Sequence, residues 1–116
     1  MSRDIYSGRL ELLGEEHYQT IAAALNYAGT LGDLKRFQEA KALLRKTIPV
    51  ARRVHGENDE NTLKILWSYA MALYKDRSST LDNLREAVTT LEESAPIARR
   101  VLGGAHPVTV SMEESL

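Results

Sequence analysis

Several features that would point to chemistry or to a membrane are missing from this sequence. It contains no cysteine, which excludes disulfides, zinc–thiolate sites and cysteine nucleophiles. No apolar run approaches the roughly 20 residues that a membrane-spanning helix needs, and the first residues hold no apolar signal core. Lys and Arg number 15 against 16 Asp and Glu, a balance that argues against nucleic acid or an anionic membrane as the main partner. We therefore expect a cytoplasmic (intracellular) protein that binds neither.

Proline and catalytic motifs are also scarce. Only three prolines occur, while Ala and Leu are abundant, which is typical of an all-helical protein. At 116 residues the chain forms at most one domain. It has no Gly-rich phosphate loop, no His-Glu-x-x-His and no Gly-x-Ser-x-Gly. The sequence thus predicts an all-α protein that is not an enzyme and needs no cofactor.

One short motif occurs three times along the chain. Gly14 and Gly56 are 42 residues apart, as are Thr20 and Thr62, and Gly103 follows Gly56 after 47 residues. A fixed period of this size is typical of a stacked repeat array. We therefore expect one array over residues 1–116. Its parts are the tail of a preceding helix (1–13), repeat one (14–55), repeat two with a five-residue insertion (56–102) and the start of repeat three (103–116).

The spacing of apolar residues predicts two helices in each repeat. The expected helices span about 17–33, 34–54, 59–75 and 81–102. Asp59 stands at an N-cap position, and His17 and His106 occupy the same repeat position, so we expect capping there and no metal site. Pro49 and Pro96 fall inside the longer helices, where proline frees a carbonyl and bends the axis. The alternative is that these helices break at proline and restart.

The motifs together resemble tetratricopeptide repeats, specifically the 42-residue kind of the kinesin light chain. The residues that carry the resemblance are Leu13-Gly14-Glu15-Glu16-His17, Leu25-Asn26-Tyr27-Ala28, Arg36-Phe37-Gln38-Glu39-Ala40 and Leu102-Gly103-Gly104-Ala105-His106-Pro107. The resemblance implies a short right-handed α-solenoid of stacked antiparallel helix pairs, whose shorter helices line a concave groove. Tyr18 and Glu60 depart from it, since the family has proline there, and Ser68 replaces the asparagine that Asn26 retains.

A peptide-binding groove is the candidate site. Trp67, Met71 and Tyr74 are spaced i, i+4, i+7 and share one helix face, while Lys64 and Lys75 beside them would attract acidic groups. The resemblance adds that an asparagine at the position of Asn26 holds peptide backbone. The alternative is that Trp67 packs between repeats. The predicted groove residues are Leu25, Asn26, Gly29, Lys64, Trp67, Ser68, Met71, Tyr74 and Lys75.

The predicted function is non-enzymatic protein–protein interaction, as a module or scaffold that holds a peptide segment in the groove. The alternative is a purely structural assembly segment of a longer repeat array. Apolar residues near both ends, without an obvious cover inside the chain, favour a homo-oligomer through the array ends. They are Ile5, Leu10, Leu12, Val110 and Met112.

Overall fold

Six α-helices make up the computed structural model, which describes residues 2–116. They are α1 (Ser2–Leu13), α2 (Tyr18–Asp33), α3 (Phe37–Val54), α4 (Glu60–Lys75), α5 (Leu81–Leu102) and α6 (Pro107–Ser115). The expected all-α array of stacked helix pairs is confirmed. One predicted start was wrong: the third helix begins at Phe37 rather than at 34, because Lys35 takes a left-handed backbone conformation with φ of +60°. None of the six helices combines the length and apolar character needed to cross a bilayer.

The helices form two layers of unequal spacing. We call α2, α4 and α6 the inner helices and α1, α3 and α5 the outer helices. Each helix packs against the next along the chain, and the inner helices also contact one another, α2 with α4 and α4 with α6. No Cα atom of α3 lies within 8 Å of one in α5. Since the inner layer is closed and the outer layer is spread, the array curves with the inner helices on its concave side.

The core runs along the middle of the array and is centred on α4. Leu63, Ile65 and Leu73 of this helix are fully buried, and each such side chain stabilises the fold by roughly 1.5–3 kcal/mol. Met112 of α6 is also fully buried. The expectation that Met112 lacks a cover inside the chain was therefore wrong, because α6 packs against both α4 and α5.

The repeated motif builds the turns between outer and inner helices. Its three glycines, Gly14, Gly56 and Gly103, have φ of +86°, +92° and +94°, a region that side chains disfavour. The following inner helices are each capped by a side chain that accepts the backbone N–H two residues on. His17 Nδ1 accepts from Gln19 at 3.1 Å, and Asp59 Oδ1 accepts from Asn61 at 2.8 Å. The predicted capping by Asp59 and the two histidines is confirmed.

The threonines of the motif have a role that sequence analysis missed. Thr20 donates its hydroxyl to the carbonyl of Arg9 at 3.2 Å, and Thr62 donates to the carbonyl of Ala51 at 3.4 Å. In both cases the acceptor lies 11 residues earlier, on the preceding outer helix. Buried hydroxyls need such partners. The repeated threonine therefore ties α2 and α4 to the outer helix before each of them, whereas the buried hydroxyl of Thr109, at the same position of α6, has no hydrogen-bond partner within residues 2–116.

Both internal prolines lie within continuous helices. Pro49 is inside α3 and Pro96 is inside α5, so the alternative of broken and restarted helices was wrong. Both prolines are exposed, which places the missing N–H group of each on the solvent side of its helix. The outer helices thus tolerate proline without loss of a buried hydrogen bond.

The inserted loop after α4 is fixed to α3 by an ion pair. Lys41 Nζ lies 3.0 Å from Asp76 Oδ2, and both side chains are nearly buried. Asp76 also accepts the N–H and the hydroxyl of Ser78 at 3.0 and 2.8 Å. Hydrogen bonds from Ser78 and then from Lys41 lower the pKa of Asp76 to about 2. At the end of the loop, Thr80 caps α5 by accepting from Asn83 N–H at 3.1 Å.

Candidate functional site: a two-part depression on the concave face

Two adjoining depressions lie on the concave face, and Trp67 of α4 lines both. The α2–α4 depression encloses about 200 Å³, and its lining includes Gly29, Gly32, Asp33, Phe37, Trp67, Ser68, Met71 and Lys75. The α4–α6 depression encloses about 260 Å³ and is lined by Leu25, Lys64, Trp67, Ser68, Pro107, Val108 and Ser111. Most of these side chains are apolar or small. The inner helices therefore present a shallow, largely apolar surface, with Trp67 and Ser68 shared by its two depressions.

Trp67 is held partly in the core and partly at the surface. Its side chain packs against the buried cluster but is not itself fully covered. Its Nε1–H is covered by protein, yet no acceptor within residues 2–116 bonds to it. A buried donor without a partner costs about 1–3 kcal/mol. Trp67 thus packs against the core, as one of the two alternatives expected, while part of its side chain remains at the surface.

The facing side of α2 carries two glycines with no packing reason inside the chain. A Cβ atom added to Gly29 or to Gly32 would meet no atom within 4 Å. Each glycine costs the helix roughly 0.8–1 kcal/mol relative to alanine. Both glycines therefore leave open space on the α2 side of the depression, across from Trp67 and Met71 of α4.

Seven of the nine predicted groove residues line these depressions, and two do not. Asn26 is exposed but lines neither depression, and its backbone carbonyl accepts a hydrogen bond from the hydroxyl of Thr30 at 3.1 Å. Tyr74 is 62 % exposed and also lies outside them. Sequence analysis missed Phe37 and the α6 residues Pro107, Val108 and Ser111. The α6 residues could have been predicted, because the third copy of the motif precedes them and indicates a third inner helix.

The two lysines at the site differ in whether a carboxylate neutralises their charge. Lys64 Nζ lies 3.1 Å from Glu60 Oε2, and Glu60 Oε1 lies 2.8 Å from His106 Nε2. Lys64 foremost, then His106, lowers the pKa of Glu60. Lys75 has no ion-pair partner among the described residues. Of the two lysines expected to attract acidic groups, only Lys75 is therefore free to do so.

The three histidines serve the helix ends. His17 and His106 each use Nδ1 as an N-cap acceptor, and His55 Nδ1 lies 4.0 Å from Asp59 Oδ1. A ring nitrogen that accepts a backbone N–H is occupied and cannot bind a metal at the same time. Within residues 2–116 no three His, Asp or Glu side chains come together as a metal-binding group.

A third concavity of about 290 Å³ lies on the opposite side, between α3 and α5. Arg45 Nε donates to the hydroxyl of Tyr69 at 2.9 Å, and that hydroxyl donates to Glu86. Burial foremost, together with the Glu86 hydrogen bond, raises the pKa of Tyr69, while the Tyr69 hydrogen bond raises that of Arg45. Since these groups satisfy one another, they act as a link between the two outer helices.

The model of the tetratricopeptide repeat family matches residues 19–78. The chain belongs to this family. Neither the curated proteins nor the solved structures contain a significant match. The matched tetratricopeptide segment covers α2, α3 and α4, and therefore both walls of the α2–α4 depression. Tetratricopeptide repeats are in general protein-interaction modules, and theirs is a non-enzymatic fold.

Proposed function

We propose that this tetratricopeptide array binds a peptide segment of a partner protein along the concave face of its inner helices. The observation that carries the proposal is the position of Trp67 between two adjoining depressions of about 200 and 260 Å³. Tryptophan is enriched among the few residues that supply most of the binding energy at protein interfaces. A segment lying across Trp67 would place side chains into both depressions at once.

Gly29 and Gly32 support close approach of a peptide main chain to α2. Each glycine weakens the helix relative to alanine, and no atom of residues 2–116 lies within 4 Å of either absent Cβ. A partner backbone against this face would use the space that larger side chains would fill. An acidic group of the partner would be attracted towards Lys75, which has no ion-pair partner among the described residues, rather than towards Lys64, which is paired with Glu60.

We further propose that the repeats are of the kinesin-light-chain kind, divided at 14–55, 56–102 and 103–116. The support is the motif at each turn and the 42-residue period. In this proposal Asn26, exposed on α2 next to the depressions, contacts the peptide backbone. Its substitution by alanine would then weaken all bound peptides without regard to their sequence.

Selection from a displayed library of random peptides tests the groove. Enriched peptides would be titrated calorimetrically against the natural chain, Trp67→Ala and Gly29→Leu. Trp67→Ala should weaken binding by about 2 kcal/mol or more. Gly29→Leu should weaken binding as well, because its side chain would enter the α2–α4 depression. Leucine also favours the helix, so this variant is expected to fold.

Val88→Ala is the matched control, since Val88 is exposed on the outer helix α5 and lines no concave depression. It should bind the peptides as the natural chain does. Circular dichroism would establish that every variant is folded. Peptides that bind Trp67→Ala and Gly29→Leu as tightly as the natural chain would place the binding surface elsewhere and contradict the proposal.

A further inference from the structure

The outward faces of α1 and α6 differ from their counterparts inside the array. Within residues 2–116, α3 lies between inner helices α2 and α4, and α5 lies between α4 and α6. In the part of the chain that the structure describes, α1 packs only against α2, and α6 packs only against α4 and α5. We call the side of α1 that carries Ile5 and Gly8 the head face, and the side of α6 that carries Val110 the tail face.

Repeat register shows that the tail face matches a buried surface. Val110 lies 47 residues after Leu63 and 89 after Ile21. Ile21 and Leu63 are 2 % and 0 % exposed, whereas Val110 is 36 % exposed. Leu116, which follows α6 and is exposed, stands at the register of buried Tyr69 and of half-buried Tyr27. Within residues 2–116, α2 and α4 are each followed by an outer helix, and the position of Val110 is buried there, whereas on α6 it is uncovered.

The head face shows the same relation from the other side. Ile5 lies 42 residues before Thr47 and 89 before Ser94. Thr47 and Ser94 are 6 % and 3 % exposed, whereas Ile5 is 51 % exposed. Gly8 corresponds to Val50, which is buried, and an added Cβ on Gly8 would meet no atom within 4 Å.

The two faces correspond to partners that already meet inside the chain. Ile21 of α2 and Thr47 and Val50 of α3 line one small depression of about 10 Å³. Val110 stands at the register of Ile21, while Ile5 and Gly8 stand at the registers of Thr47 and Val50. The tail face and the head face are therefore the two halves of an interface that the array forms internally between α2 and α3.

We propose that the tail face of one copy of this chain receives the head face of a second copy. Helix α6 and the second copy's α1 then form an inner–outer pair like α2 with α3 and α4 with α5. The carboxylate of Glu113, at the register of buried Leu66, is 2.9 Å from Arg99, so it enters the interface with its charge compensated. Because head and tail differ, the contact is heterologous and extends into an open chain of copies rather than a closed dimer.

Light scattering on the chain, on Ile5→Glu and on Val110→Glu tests this proposal. The mass of the natural chain should rise with concentration past that of two copies, whereas each variant should keep the mass of one copy. A mixture of the two variants should form pairs and nothing larger, because the intact tail of Ile5→Glu meets the intact head of Val110→Glu. Val88→Glu, on the exposed side of α5, should associate like the natural chain.

Three results would overturn the proposal. The first is a natural chain that keeps the mass of one copy up to about 1 mM. The second is a variant that associates as the natural chain does. The third is a mixture of Ile5→Glu and Val110→Glu that forms no pairs although the natural chain associates. This result would indicate that head and tail do not bind each other and that the contact is symmetric. Should either glutamate variant fail to fold by circular dichroism, Ile5→Ser and Val110→Ser take its place with the same expected outcomes.

Discussion

At the scale of single residues, Gly29 is a position where the stability of α2 and the proposed binding of a peptide favour different side chains. It lies inside α2 with open space where a side chain would be. We expect Gly29→Ala to raise the free energy of unfolding by about 0.5–1 kcal/mol, because alanine loses less conformational entropy in a helix. Urea denaturation followed by circular dichroism measures this change.

Gly14→Ala is the paired control for this substitution. Gly14 also has open space around an added Cβ, but its φ is +86°, where alanine is strained by roughly 1–2 kcal/mol. Gly14→Ala should therefore lower the free energy of unfolding, whereas Gly29→Ala should raise it. A loss of stability in Gly29→Ala would mean that this glycine is needed for the fold, and the argument for a partner backbone at α2 would fail.

At the scale of elements, the link between α3 and the loop after α4 depends on one carboxylate. The folded-state pKa of Asp76 is about 2 against an ordinary 3.8, so the folded chain holds the ionised form more strongly than the unfolded chain does. This contribution to stability is present above about pH 3.8 and is lost as the pH falls through about 2. We expect Asp76→Asn to remove that part of the acid dependence, as measured by urea denaturation between about pH 5 and about pH 2.

Asp76→Asn should also lower stability near neutral pH, because the nearly buried ammonium of Lys41 loses its partner. Adding Lys41→Met to Asp76→Asn removes that unpaired charge and should recover stability. Asp82→Asn is the matched control, since Asp82 is almost fully exposed and lies 4.0 Å from Arg85. If the free energy of unfolding of Asp76→Asn fell with pH between about 5 and about 2 as steeply as that of the natural chain, Asp76 would not be the source of this acid dependence.

At the scale of the whole molecule, the repeat period predicted the helices and their caps because both depend on local sequence. The caps at Asp59 and His106 and the helix ends at the motif glycines required no knowledge of packing. Contacts between distant segments could not be predicted in this way. The cover over Met112 and the depression formed with Val108 both depend on how α6 lies against α4.

Most of the side chains that line the two concave depressions were predicted from the sequence, whereas their ion pairs were not. Trp67, Met71 and Gly29 followed from helix periodicity, since residues one turn apart share a face. The pairing of Lys64 with Glu60 is an i, i+4 pair that the sequence displays, but the second partner of Glu60 is His106, 46 residues away. Such a contact depends on the stacking of the third repeat on the second.

The central claim is that a peptide lies over Trp67 on the concave face. Trp67 is the only tryptophan in the chain, so its fluorescence reports on this site alone. During titration with a peptide selected on the natural chain, we expect the emission of Trp67 to shift to shorter wavelength and to become less accessible to acrylamide, because the peptide removes the indole from water. A peptide that binds while the emission and the quenching of Trp67 stay unchanged would contradict the account.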